Sequence, residues 1–145
     1  MAHISFTFER WETDAPHGFE LGDLAVATDS RSVTSKGRIP DGKMMIYISM
    51  VDLMSGVATL LRDDHHQYEF VGADSSFSLF FKRTKRGVEL RQGTKELGLF
   101  DPRALATQVA ADVDRFWNAY PLSPDDAVFN DIKSSRERLQ KVLAA

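Results

Sequence analysis

Hydrophobic and polar residues alternate near the start of the chain. Between His3 and Trp11, isoleucine and phenylalanine fill every second position, with serine, threonine and glutamate between them. A period of two predicts a half-buried β-strand. Leu21–Thr28 predicts a second strand, and the segment Thr13–Gly18, which contains proline and glycine, predicts the connection between the two.

The hydrophobic period changes to that of a helix after residue 41. Apolar side chains recur three or four positions apart up to Leu61, and a narrow stripe of serine, threonine and aspartate separates them. This spacing predicts a long, buried α-helix that starts at Asp41. The residues Ile46–Ile48 have modest helix propensity, so a strand remains the alternative for the first half of this segment. Gly56 weakens a helix and predicts the close approach of another element.

Short strands are predicted after this helix. They cover Tyr68–Gly72, Ser76–Lys82, Val88–Arg91 and Lys95–Phe100. Short turns connect them, which implies antiparallel neighbours. Asp101–Pro102 and Ser123–Pro124 each combine a capping residue with a proline suited to the first helical position, so each predicts the start of a helix.

The predicted elements follow the order ββ–α–ββββ–αα. This order predicts a single α+β domain over residues 1–145, because antiparallel strands and helices occur in blocks rather than in alternation. We expect an antiparallel sheet of about six strands, packed on one face by the buried central helix and the two C-terminal helices.

Composition excludes several classes of function. The formal net charge of −3 gives no global attraction for nucleic acid or anionic membranes. The chain has no cysteine, which excludes disulfides, thiolate nucleophiles and cysteine-ligated metals and fits a reducing compartment. The N-terminal residues lack the pattern of a signal peptide, and Asp52 interrupts the most apolar stretch, Met44–Leu61. We expect a cytoplasmic protein without a membrane partner.

A loop rich in hydroxyl and cationic side chains precedes the predicted helix. The residues predicted to bind a ligand are Ser30, Arg31, Ser32, Ser35, Lys36 and Arg38. Met44 replaces the serine or threonine that a P-loop requires after Gly-Lys, so the P-loop pattern fails. The loop could still bind an acidic patch on a protein, or a small anion together with the N-terminus of the following helix. A solvated connection without a ligand is the third interpretation.

Asp52 lies inside the most apolar helix, where a carboxylate is costly unless it has a partner. We expect it to be a buried supporting residue that accepts hydrogen bonds from serine or arginine side chains of the preceding loop. A catalytic acid or base is the alternative, but no second acidic residue or histidine lies near it in the sequence.

Two further polar segments contain side chains of the kinds that form sites. Asp63–Tyr68 contains metal-ligand side chains, but His65 and His66 are adjacent and match no metal-binding spacing, so we predict no metal and no cofactor. A secondary basic patch is predicted at the end of a hairpin, formed by Lys82, Arg83, Lys85 and Arg86. Nucleic-acid binding is not expected there, because the nearby phenylalanines do not follow an RNA-binding signature. Such a charged hairpin also discourages edge-to-edge aggregation.

The sequence contains no catalytic constellation, and we expect a non-enzymatic domain that binds another protein through the Ser30–Arg38 loop. Bacterial immunity, antitoxin and adaptor proteins include many small α+β domains of this kind, an analogy at the level of shape alone. A domain that binds a small anion or a phosphorylated ligand is the alternative, and an enzyme of unknown type is third. Trp11, Phe19, Trp117 and Tyr120 are expected in the core rather than as exposed anchors, although the Trp117/Tyr120 end or a sheet edge could form a homodimer.

Overall fold

The computed structural model describes residues 3–38, 41–62 and 65–145. Within them the chain forms eight strands and three helices. The strands are β1 (Ile4–Arg10), β2 (Leu21–Thr28), β3 (Ser32–Thr34), β4 (Met44–Met45), β5 (Gln67–Val71), β6 (Ser78–Thr84), β7 (Gly87–Gln92) and β8 (Lys95–Phe100). The helices are α1 (Ile46–Leu61), α2 (Pro102–Ala119) and α3 (Phe129–Ala144).

The strands form two antiparallel sheets of four strands each. In the first sheet, β2 pairs with β1 on one side and with both β3 and β4 on the other. The second sheet is a meander in the order β5-β6-β7-β8. The predicted α+β class with antiparallel strands and three helices is therefore confirmed. The number of sheets differs from the single sheet we expected, because α1 lies between the two groups of strands in sequence and packs against both.

Helix α1 starts later than the hydrophobic pattern indicates. Met44 and Met45 pair with β2 opposite Gly22 and Leu21, so the chain stays extended up to Met45. The prediction of a helix start at Asp41 is wrong for this reason: pairing with a distant strand decides the conformation of the first residues. Helix α1 then continues to Leu61, as predicted.

Helix α3 also starts later than its sequence signal indicates. Ser123–Asp126 forms a turn instead of a first helical turn, and the Asp126 side chain accepts hydrogen bonds from the backbone N–H groups of Gly18 and Val128, both at 2.9 Å. The carboxylate thereby ties the β1–β2 connection to the start of α3, which begins only at Phe129.

Within the described parts of the chain, the buried apolar residues form a single hydrophobic cluster that includes residues of both sheets and all three helices. Helix α1 is its central element and contacts α2, α3 and strands of both sheets. Gly56 of α1 faces the Tyr68 ring of β5 so closely that an added Cβ would lie 2.1 Å from Cζ. This confirms the close approach predicted at Gly56. No helix in the described parts of the chain is long and apolar enough to cross a membrane.

Candidate functional site

The predicted binding loop is divided between two places in the structure. Residues 32–34 form strand β3, which pairs with β2. Ser30 and Arg31 lie at the exposed turn before β3, where the Thr28 N–H donates to the Arg31 carbonyl at 2.7 Å. Lys36 lies five residues beyond Arg31, which in mostly extended chain corresponds to about 15 Å. The six predicted residues therefore do not form one cluster, and Ser30, Arg31 and Ser32 are apart from the other three.

Ser35 is buried beneath the second part of the loop. Its hydroxyl donates to Asp23 Oδ1 at 2.7 Å and accepts from the Leu24 N–H at 3.0 Å. The Ser35 N–H in turn donates to the Leu24 carbonyl at 3.0 Å. Ser35 thus fastens the loop to β2 rather than facing a ligand, and it leaves the second oxygen of the buried Asp23 carboxylate for another donor.

That donor is Trp11, contrary to the prediction that this residue lies in the core. The indole Nε1–H donates to Asp23 Oδ2. The side chain is nevertheless 53% exposed, and the Lys43 ammonium lies 5.2 Å from the centroid of its ring. A hydrogen bond to a buried carboxylate and a cation on the ring hold the indole in one orientation while much of it faces solvent.

Cationic side chains lie beside Trp11 and on the loop that follows Ser35. Lys36 and Arg38 are exposed, and Lys36 makes only a long contact of 3.9 Å with Glu9. Arg38 forms no ion pair within the described residues. Together with Trp11, Asp23, Ser35, Gly37, Asp41, Gly42 and Lys43, Arg38 lines a hollow of about 360 Å³. We call Trp11, Lys36, Arg38 and Lys43 the Trp11 surface.

The N-terminus of α1 does not resemble a phosphate-binding loop. Gly37 and Gly42 have the spacing of P-loop glycines, but the helix begins at Ile46, beyond β4, instead of at Lys43. The N–H groups of Met45 and Ile46 donate to the carbonyls of Ala73 and Glu20, at 3.0 and 3.1 Å. These two donors are therefore satisfied within the protein.

Asp52 differs from its prediction in burial and in partner. It is exposed, and its carboxylate accepts from the Tyr68 hydroxyl, with Oδ2 2.7 Å from Oη. The expectation of a buried Asp52 paired with the loop of residues 30–38 is wrong, because α1 turns this position toward β5. Burial, followed by the hydrogen bond to Asp52, raises the pKa of Tyr68 above its usual value.

The predicted basic hairpin is also divided. Lys82, Lys85 and Arg86 are exposed. Arg83 is half-buried and donates from Nη1 to the carbonyls of Leu60 and Leu61 at the end of α1, where a cation complements the helix dipole.

The hairpin borders the uncovered face of the second sheet, where a hollow of about 830 Å³ opens. Phe80 in this hollow lies under the Arg91 guanidinium, 4.4 Å from the ring centroid. Glu89 and Glu96 add negative charge to the same face. The Phe80 ring is therefore covered by Arg91, and the hollow carries both positive and negative charges.

The possible metal segment yields no metal site in the described structure. His65 and His66 are exposed, while Asp63 and Asp64 lie outside the described residues. Within residues 3–38, 41–62 and 65–145, no three His, Cys, Asp or Glu side chains are grouped to hold a metal ion.

The fold buries charged side chains that no sequence pattern predicts to lie together. Arg10 Nε donates to Glu20 Oε2 at 2.8 Å, and both side chains are almost fully inaccessible. The hydrogen bond to Glu20 raises the pKa of Arg10. Burial raises the pKa of the nearby Tyr47, and Glu20 adds to the shift. No local motif identifies this group, since Arg10, Glu20 and Tyr47 belong to three different segments.

Three of the four aromatic residues assigned to the core are exposed. Phe19 is 55% and Tyr120 is 41% exposed, in addition to Trp11. Trp117 is half-buried and packs against Tyr47 and Phe129.

Comparison of the chain with models of protein families, with curated proteins and with solved structures found no match in any of the three.

Proposed function

We propose that this chain is a non-enzymatic, cytoplasmic protein-interaction domain and that it binds an acidic segment of a partner through the Trp11 surface. The observation that carries the proposal is Trp11 itself. A tryptophan that is half exposed and held rigidly loses little conformational freedom on binding, and tryptophan is enriched among the residues that dominate interface energies.

The charges around Trp11 support an acidic partner. Lys43 lies over the indole ring, Arg38 lines the same hollow, and Lys36 is exposed on the adjoining loop. Arg38 forms no ion pair within the described residues. A partner carrying carboxylates beside an apolar side chain would place the apolar group on the indole and the carboxylates against the cations.

A small anion fits this hollow less well than a protein segment does. Asp41 and the buried Asp23 line it alongside the cations. Two carboxylates close to a bound phosphate would repel it, whereas a larger partner can spread its contacts and avoid them. The protein-binding hypothesis is therefore the one we retain as the proposed function.

A photo-crosslinking experiment in source cells tests the proposal. A photoreactive amino acid at position 36 should capture a discrete partner that the same amino acid at position 133 does not capture. Lys36 and Lys133 are both exposed lysines, so position 133 controls for random collision. With the purified partner, Trp11→Ala should weaken binding by about thirtyfold, the usual effect of losing a dominant aromatic contact.

Charge reversal provides the matched control. Lys36→Glu/Arg38→Glu should weaken binding by a similar factor, while Lys95→Glu/Lys133→Glu, which changes the net charge equally, should not. Equal capture at positions 36 and 133, or an affinity insensitive to both Trp11→Ala and the Lys36/Arg38 reversal, would reject the Trp11 surface. If inorganic phosphate raises the melting temperature and Lys36→Ala/Arg38→Ala removes that shift, the anion hypothesis replaces it.

A further inference from the structure

A second basic surface lies where the three helices meet at one end of the molecule. Helix α1 ends there, α2 begins there and α3 ends there, around a cleft of about 450 Å³. Four cations line the cleft, namely Arg62, Arg103, Arg138 and Lys141, and Leu61 and Val142 form its apolar part. None of the described residues that line it has a carboxylate side chain.

The two helix C-termini at this cleft carry partial negative charge, which favours cations. The C-termini of α1 and α3 each contribute roughly half a negative charge. Arg103 donates to the Leu143 carbonyl and so stabilises the end of α3. Arg138 and Lys141 are exposed, and neither forms an ion pair within the described residues. These two cations are therefore available to an external partner.

The predicted basic hairpin belongs to the same end of the molecule. Arg83 contacts the last carbonyls of α1, one of them at 3.1 Å, and thereby attaches the Lys85–Arg86 turn beside the end of the helix. Segments far apart in the sequence thus place their cations together in a chain whose net charge is −3. No single stretch of sequence shows this concentration.

We propose that this cleft binds a second acidic protein segment, one that presents an apolar side chain between carboxylates. The apolar side chain would contact Leu61 and Val142, and the carboxylates would pair with Arg138 and Lys141. Single-stranded nucleic acid usually needs exposed aromatic rings on which bases stack. The exposed large hydrophobic residues of the described structure, Trp11, Phe19, Val71 and Tyr120, do not line the cleft.

The cleft is independent of the Trp11 surface. Helix α1 has 16 residues and is therefore about 24 Å long. Lys43 of the Trp11 surface lies shortly before its start, and the cleft lies at its end. Two surfaces at opposite ends of a buried helix could hold two acidic segments at once, so the cleft goes beyond the proposed function and does not depend on it.

Fluorescence anisotropy with labelled peptides tests the cleft. The probe is the peptide Glu-Glu-Leu-Glu-Glu, and Glu-Glu-Ser-Glu-Glu is the control that lacks the apolar side chain. The first peptide should bind the intact chain, and Arg138→Gln/Lys141→Gln should weaken it by about tenfold. Both positions are exposed, so the variant should fold, which its melting temperature will verify.

A second variant with the same change of charge separates the cleft from general electrostatics. Arg31→Gln/Lys95→Gln removes two exposed cations that lie outside both the cleft and the Trp11 surface, and it should leave binding of the leucine peptide within about twofold of the original. The proposal is overturned if this variant loses as much affinity as Arg138→Gln/Lys141→Gln, if the serine peptide binds equally well, or if no binding is detected. Tighter binding of a DNA duplex or of phosphatidylserine vesicles than of the leucine peptide would also overturn it.

Discussion

Burial determines how much stability this protein loses when a carboxylate side chain is removed. Asp112 is 2% exposed and accepts hydrogen bonds from the Phe6 N–H at 2.7 Å and from Arg115 at 2.8 Å. Phe6 lies on β1, which pairs on one side only within the described sheet, so Asp112 supplies an acceptor for a buried backbone donor. Asp52 is exposed and bonds one tyrosine hydroxyl. Removal of Asp52, the carboxylate that stands out in the sequence, should therefore cost less stability than removal of Asp112.

We predict that Asp112→Ala lowers the free energy of unfolding by about 2–3 kcal/mol, because it leaves the Phe6 N–H without an acceptor. Asp52→Ala should cost less than about 1 kcal/mol, since water can replace an exposed partner. Urea unfolding of both variants measures the two values, and Asp112→Asn, which retains one acceptor oxygen, should fall between them. An equal or larger loss for Asp52→Ala would contradict the assignment.

At the scale of elements, the contact between α1 and β5 depends on the absence of a side chain at Gly56. The Tyr68 ring occupies the space that a Cβ would fill, while stacking on Phe81 at 5.5 Å and bonding Asp52. Tyr68 can therefore move aside only by losing two contacts. We predict that Gly56→Ala lowers the free energy of unfolding by about 1–3 kcal/mol, despite the better helix propensity of alanine.

A double-mutant cycle checks this cause. In a Tyr68→Ala background the space beside Gly56 is open, so the same Gly56→Ala change should become neutral or stabilise the protein by up to about 1 kcal/mol. An unchanged cost in that background would mean that the clash with Tyr68 is not the reason for the effect.

The elements also show where sequence reasoning succeeds and where it stops. Alternating residues predicted β1 and β2, and short turns predicted the β5–β8 meander, because both signals are local. The start of α1 could not be predicted, since Met44–Met45 follows the conformation of its distant partner β2.

The same limit applies to the candidate site. Lys36 and Arg38 could be proposed as binding residues from the composition of their loop. The orientation of Trp11 could not, because it follows from a hydrogen bond to Asp23, which Ser35 also bonds. The cationic cleft likewise requires the ends of all three helices, which no local pattern brings together.

At the scale of the whole molecule, two phenols, one fully buried and one half-buried, join the central helix to the layers around it. Tyr47 of α1 is fully buried, and its hydroxyl donates to the Tyr120 carbonyl at 2.6 Å after the end of α2. Tyr68 joins the other part of α1 to the second sheet. Burial raises the pKa of both phenols above the value near 10 that they have in an unfolded chain.

This shift predicts a loss of stability in alkaline solution. Below about pH 10 both phenols are protonated in the folded and unfolded states, and their contribution is fully present. Above that pH the unfolded chain loses phenolic protons that the folded protein keeps, so the free energy of unfolding falls by up to about 1.4 kcal/mol per pH unit for each phenol. Tyr47→Phe and Tyr68→Phe should each reduce this slope in urea unfolding between about pH 9 and 11, while lysine titration affects all variants alike. Parallel curves for the original chain and the double variant would contradict the prediction.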